Sequence, residues 1–424
     1  MSVRTLLIVS YHFAPSPAVG AKRFSFLARE FEALGYDVHV IANESGDSPH
    51  GPPDASLPHA GSVHRVRAPL ELPLRSRGFA ARKVNSVAHR VLAPLGLEYF
   101  WAGAATRKAL EVARGLPPGV VIATSPPHAA LIAGHAIARA LGWPLLIDYR
   151  DPWSGYDWPA WRRGAFTNSL ARRAERPIVA ASAARILNTP AMRTAFEAHF
   201  PDAPSARNLV IPNGFDPVPA GPAPSPAGPI NLVHAGEIFS GRSLVPVLLA
   251  AQRLSARFAD RPIRVTTYGA LPAPEATRIR EAGLESFVDV RPRVPFAELF
   301  GELQAAHALL AVVGDHMLYS TPYKVYDYMA AGRPILGLAP RGASLFGLLS
   351  ESGAGVCVEP GDVEAIERTL EKMVISPAGE GAVTRVERYR WSNLALQYRI
   401  AIETVAGGAV APAHVDAMPA RKAS

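Results

Sequence analysis

Residues 5–42 read TLLIVSYHFAPSPAVGAKRFSFLAREFEALGYDVHVIA. A short apolar run, 5–10, is followed by a polar, proline-containing loop and then by 20–35, where Phe24, Leu27, Phe31 and Leu34 fall on one helical face. A second β-rich run, 37–42, follows after a single glycine turn. Strand, helix and strand in this order make a βαβ unit, whose strands lie parallel in a sheet covered on both faces. Outward from it the same alternation continues, with strands expected over 120–124, 144–148, 185–188 and 209–212 and helical periodicity between several of them.

The alternation stops at Asp216. Residues 217–229 contain six prolines, which can continue neither a helix nor a central strand, so a semi-rigid linker or an extended surface excursion is expected at 216–229. It then restarts, with strands at 229–236, 263–268, 288–291, 309–313, 334–338 and 355–358 and helices at 243–258, 363–373 and 386–405. The expected organisation is two doubly wound α/β domains, 1–215 and 230–385, then a helix over 386–406 and a disordered Ala/Gly/Pro-rich tail over 407–424. Ligands of such sheets sit beyond the carboxyl ends of the strands, and two such domains facing each other put the functional site in a cleft between them.

The chain has 424 residues, 49% of them hydrophobic, which is enough for two cores and excludes a wholly disordered protein. A single cysteine, Cys357, excludes an internal disulfide and a Cys-rich metal module, and suits a reducing cytoplasm. No run reaches the roughly 20 apolar residues that span a bilayer. The net charge of +8 is concentrated. Seven Lys/Arg fall in 65–90 against Glu71, and five in 162–176 against Glu175. They read either as ordinary solvated helix faces or as a surface for phosphate-rich partners, nucleotide or anionic lipid. Nucleic acid is not expected, because aromatics are not interleaved with the basic residues and zinc-finger spacing is absent.

Four loops carry candidate chemistry. In 10–20, Gly20 at a helix start lets an anion approach free backbone N–H groups. In 146–153, Asp148, Arg150 and Asp151 follow an apolar strand at the end where active sites form, as base, cation clamp and hydroxyl binder, or as a helix cap with a surface ion pair. In 234–243, Gly236, Gly241 and Arg242 before a helix suit a phosphate. In 319–334, Ser320 and Thr321 offer hydroxyls and amides, Lys324 can pair with phosphate, and Asp327 either accepts from sugar hydroxyls or serves as a first-turn carboxylate. No closely spaced Asp/His cluster suggests a metal.

These residues resemble retaining glycosyltransferases of the GT-B fold, family 4, of the bacterial surface-polysaccharide type. The likeness rests on LLIVSYHFAPSPAVGAKRFSFLAREFEALGYDVHVIA (6–42), IDYRDPW (147–153), IPNGFDP (211–217) and TPYKVYDYMAAGRPIL (321–336). It implies two Rossmann-like domains, a donor nucleotide held by the second and a C-terminal helix crossing back to the first. It also implies an enzyme of the EC 2.4 class that moves a sugar, with retention, from a nucleotide-diphosphate sugar to a saccharide or lipid-linked acceptor, with no cofactor or metal. The family's ribose-contacting carboxylate corresponds to Asp327, with Tyr319 where its partner acid stands. Glu237 stands where the family has arginine, Arg242 fills the second basic place, and Lys324 supplies the missing charge. The family's catalytic histidine falls near Ser125-Pro126-Pro127, with His128 beside it. Donor-site residues are therefore expected to be Gly20, Gly236, Arg242, Ser320, Thr321, Lys324 and Asp327, with Arg150 and Asp151 as the catalytic pair that orients acceptor or sugar. A sugar-nucleotide epimerase and a non-catalytic nucleotide-binding protein are the alternatives.

A cytoplasmic enzyme is expected, peripheral at the inner membrane face. Within 82–97, Val84, Val87, Val91 and Leu95 at near-helical spacing read either as a face for the headgroup layer or as packing against the sheet.

Overall fold

The computed structural model describes residues 4–44, 53–67, 99–154, 165–219, 221–225, 227–238, 241–314, 317–375 and 385–407. Two compact units divide the chain. One comprises Met1–Pro212 with Trp391–Ser424, the other Asn213–Arg390.

The first unit is built on a seven-stranded parallel sheet in the order β3-β2-β1-β4-β5-β6-β7. Its strands are β1 (Thr5–Val9), β2 (Asp37–Asn43), β3 (Ser62–Val66), β4 (Val120–Ser125), β5 (Leu145–Tyr149), β6 (Ala184–Leu187) and β7 (Asn208–Val210). Every residue of β1, β4 and β5 is buried, which is why these central strands carry apolar runs rather than alternation. The helix Val19–Ala33 buries Phe24, Leu27 and Phe31, the face its periodicity marks. The chain returns to this unit through the helix Trp391–Ala406. Trp391 stacks on Phe26 with ring centroids 5.9 Å apart, and Tyr398 packs edge-on against Phe24 and Phe31.

The second unit repeats the plan with six parallel strands in the order β10-β9-β8-β11-β12-β13. They are β8 (Ile230–Ala235), β9 (Ile263–Tyr268), β10 (Val288–Arg291), β11 (Ala308–Val312), β12 (Ile335–Leu338) and β13 (Gly355–Val358). Cores lie on both faces of this sheet, one around Val233, Leu309 and Tyr328, the other around Leu232, Leu248 and Leu310. Order reverses between β8 and β11, so the loop after β8 emerges at the switch point.

Two expected boundaries move. The proline-rich stretch from Asp216 is held along the second unit: Gln304 donates to the Pro219 carbonyl at 2.8 Å, and the His307 ring lies 3.0 Å from that of Ser225. A proline chain lacks N–H donors but keeps its carbonyls, and side chains of the neighbouring fold use them. The expected helix over 386–406 is two elements. Val386–Tyr389 is a 3-10 turn of the second unit, and the α-helix starts at Trp391. All but the first residue of the expected tail 407–424, and residues 68–90 of the basic stretch 65–90, lie outside the described residues, as does the 82–97 face.

Candidate functional site

In the second unit, β8 ends at His234 and Ala235, and Gly236 follows with φ of +107°, a conformation that only glycine adopts without strain. Its N–H donates to the Tyr268 carbonyl at 2.8 Å. Tyr328 fixes the strand end: its hydroxyl accepts from the Ala235 N–H at 2.8 Å and faces the Leu310 carbonyl at 3.3 Å. The short helix Lys324–Ala331 buries Val325, Tyr326, Tyr328 and Met329 and ends at Gly332 with φ of +70°.

That helix brings Lys324 to the end of β8. The Lys324 Nζ donates to the Ala235 carbonyl at 2.9 Å and lies 2.8 Å from His234 Nε2. His234 is fully buried, and its Nδ1 is 3.1 Å from Thr267 Oγ1 on β9. Burial, and then the Arg242 charge, push the Lys324 pKa down to about 7. Burial, Lys324 and Arg242 hold His234 well below the ordinary histidine value. Arg242 is 7% exposed, its pKa lowered by burial, and its guanidinium approaches Met317 Sδ at 2.9 Å. Thr321 keeps its Oγ1 buried with no hydrogen-bond partner among the described residues. Ser320 is half-buried just before it, and Asp327 lies in the helix's first turn. Glu237 is held at 2.7 Å by Arg293, which sits where the chain leaves β10. Residues 239–240 of this loop lie outside the described residues.

The first unit sorts its expected residues differently. Asp148 is fully buried and serves the fold. Its Oδ2 accepts from the Arg23 guanidinium at 2.9 and 3.2 Å and from the Tyr398 hydroxyl, and its Oδ1 accepts from Thr124 at 2.8 Å. Arg23 also donates to the carbonyls of Pro212 and Ile211 at 2.6 and 2.8 Å. Burial opposes its charge, but Asp148 and Tyr398 outweigh that, and its pKa is raised.

Arg150, expected beside Asp151 as a catalytic group, donates to the Gly20 carbonyl at 2.5 Å and to that of Ser125 at 3.3 Å. A Cβ on Gly20 would come within 2.5 Å of this guanidinium, so the glycine gives Arg150 room to reach the loop. Asp151 is half-buried next to it. His128 stacks on Trp153 with centroids 4.8 Å apart, and its Nδ1 lies 2.5 Å from Ser125 Oγ. Arg65, expected on a basic surface, instead donates to the carbonyls of Asn43 and Ala14.

The structure thus brings Gly236 and Lys324 together beside the buried Arg242, and gives Arg150 and Gly20 to each other. Sequence reasoning assigned no role to His234, Thr267 or Tyr328. The one available signal was a histidine near the end of a mostly apolar strand. Among the described residues no three His, Cys, Asp or Glu side chains gather as metal ligands, and no helix is long and apolar enough to cross a membrane.

Residues 20–214 match the family model described as a glycosyl transferase 4-like domain. No curated protein sequence matches the chain. Among solved structures, it is similar to sucrose-phosphate synthase from Thermosynechococcus elongatus, at 16% identity over 93% of this chain and 97% of that one, with a TM-score of 0.60. The α,α-trehalose-6-phosphate synthase of Burkholderia multivorans is similar at 14% identity over 96% and 100%, with a TM-score of 0.61. HepE from Anabaena, solved with UDP-glucose, is similar at 14% identity over 95% and 99%, with a TM-score of 0.58. The likeness is one of fold, the two Rossmann-like units of GT-B.

Proposed function

From the match of residues 20–214 to a glycosyl transferase 4-like domain, we propose that the chain is a glycosyltransferase of the EC 2.4 class, moving a sugar from a nucleotide-diphosphate sugar to an acceptor hydroxyl with retention. The observation that carries this reading is the pair of basic side chains, Lys324 and Arg242, with the buried Thr321 hydroxyl close by in sequence, at the switch point of the second sheet. Cations and amides held in a partly dry site stabilise a departing diphosphate without reorganising when the glycosidic bond breaks. Lys324, Arg242 and the amides of Ser320 and Thr321 would meet the diphosphate, Asp327 the ribose, and Gly236 would give the phosphates access to backbone. The leaving phosphate would take the acceptor proton on the same face of the sugar, which gives retention without a protein nucleophile or a metal. In the first unit, Asp151 would orient acceptor or sugar, while Arg150 shapes the loop around Gly20. That HepE is solved with UDP-glucose supports a nucleotide sugar as donor. A saccharide or lipid-linked acceptor of cell-surface polysaccharide or glycolipid synthesis, met at an anionic inner membrane face, completes the reading.

The test is a transfer and hydrolysis screen over UDP-, GDP-, ADP- and dTDP-sugars, read by mass spectrometry. Release of nucleoside diphosphate with a matching mass gain on an acceptor is expected for one donor class. Isomerised sugar nucleotide with no new glycoside points to an epimerase, and binding without turnover to a non-catalytic protein. Asp327→Asn is expected to weaken nucleotide but not pyrophosphate. Flotation with anionic and neutral liposomes at low and high salt tests the membrane face.

A further inference from the structure

Lys324 is half-buried, and the hydrogen-bond partners of its amine are neutral. Two of the positions on its nitrogen are taken, one by the Ala235 carbonyl and one by His234 Nε2. His234 is buried and its pKa is held well below the ordinary value, so the ring is neutral. A ring that accepts at Nε2 carries its proton on Nδ1, where it donates to Thr267 Oγ1. A charged Lys324 can only donate, so it sets this tautomer, and the Thr267 hydroxyl on β9 closes the chain by accepting from Nδ1–H. One further position remains on the nitrogen. It is a lone pair when Lys324 is neutral and an N–H when it is charged, and only the charged form donates to a phosphate there. The Gly236 loop borders this position, since a Cβ built on Gly236 would lie 3.8 Å from Nζ, at van der Waals contact.

We propose that His234 is a positioning residue that, through a Thr267–His234–Lys324 relay, holds the Lys324 amine at the Gly236 loop, where it takes one proton from solvent as the phosphates of a nucleoside diphosphate bind. This rests on the donor-site reading above. The groups around Lys324 leave it as the one that titrates. His234 on β8 stays neutral, and Arg242 on the following loop stays charged and opposes a second cation. Tyr328, which holds Ala235 from its N–H side, has its pKa pushed up by burial, and Glu237 is engaged by Arg293. With the amine near pKa 7 in the free protein, an arriving anion offsets both burial and Arg242 and raises that value. Binding then takes up protons, and affinity falls as pH rises from the free toward the bound pKa.

The experiment is titration calorimetry with uridine diphosphate at pH 8, where its terminal phosphate is already ionised, in buffers of different ionisation enthalpy. Uptake approaching one proton per site is expected, with Kd rising several tens-fold between pH 7 and pH 9. Lys324→Arg, charged throughout, is expected to bind with no uptake and a flat pH profile. His234→Leu is expected to bind roughly tenfold more weakly with reduced uptake, and His234→Gln, whose amide oxygen accepts from Nζ, to recover most of both. Binding by the unmodified protein without uptake, or unchanged uptake in Lys324→Arg, overturns the inference and leaves the donor site standing. Absence of any diphosphate binding at pH 6.5 overturns the donor site and this inference with it.

Discussion

Both units draw a basic side chain in near the carboxyl ends of their strands, Arg23 fully buried and Lys324 half-buried, and they surround it in opposite ways. In the first, Arg23 meets a carboxylate, a hydroxyl and two carbonyls, every one of them from the protein. In the second, Lys324 meets a carbonyl and a neutral imidazole, with Arg242 as a second cation working against it. The first arrangement is complete and raises the pKa of its cation; the second is held by neutral groups and lowers it. A buried cation that already has its counter-charge is architecture. One held by neutral groups is stabilised further by an anion from outside, and that difference separates Asp148 from Lys324 more surely than their similar placement after strands.

The largest effect that tests this comparison is expected from Asp148→Ala. It strands the Arg23 charge in the core, and loss of one partner of a buried pair costs about 3–5 kcal/mol. Chemical denaturation measures it, and a loss below about 1 kcal/mol would break the contrast from the first unit's side. Lys324→Met should do the reverse. Diphosphate affinity should fall by about 1.5–3 kcal/mol by calorimetry, while the unfolding midpoint holds or rises because an opposed cation has left the interior. A destabilised Lys324→Met with intact binding would make the two clusters alike.

Gly20→Ala sets a methyl group against Arg150 and is expected to cost about 1–3 kcal/mol of stability with diphosphate binding unchanged. The opposite outcome, intact stability and lost binding, would restore Gly20 to the ligand. Tyr328→Phe removes the acceptor of the Ala235 N–H and should cost about 1 kcal/mol, visible as faster amide exchange at the end of β8. Smallest is Arg293→Ala: its pairing with Glu237 is exposed and should contribute no more than about 0.5 kcal/mol in thermal denaturation.

Much of this architecture was legible because a buried parallel strand and an amphipathic helix each leave a local signature. The runs at 5–10, 120–124 and 263–268, and the face of Phe24, Leu27 and Phe31, are such signatures. The placement of Lys324 and Asp327 on one short helix after a polar loop was legible too. What stayed hidden depends on partners far apart in the chain. Arg23 finds Asp148 across 125 residues and Tyr398 across 375, and Lys324 finds His234 across 90. No spacing rule reaches that far. The backbone partners of Arg150 and Arg65 were hidden for a related reason: a guanidinium beside a loop has the same one-letter code whether it faces a substrate or a backbone carbonyl.

Tyr398 also has a consequence for how the protein is made. The polypeptide leaves the first unit after Pro212 and re-enters it only at Trp391, while Phe215 and Tyr389, near the two ends of the intervening unit, are joined by a backbone hydrogen bond of 3.1 Å. On the ribosome, residues 213–390 are a continuous stretch that can fold as soon as they emerge. The earlier-synthesised unit must wait, with Arg23 and Asp148 lacking their third member, until the helix Trp391–Ala406 emerges. Translation that stops at residue 390 would therefore yield a competent second half attached to an unfinished first one, a natural target for quality-control proteases.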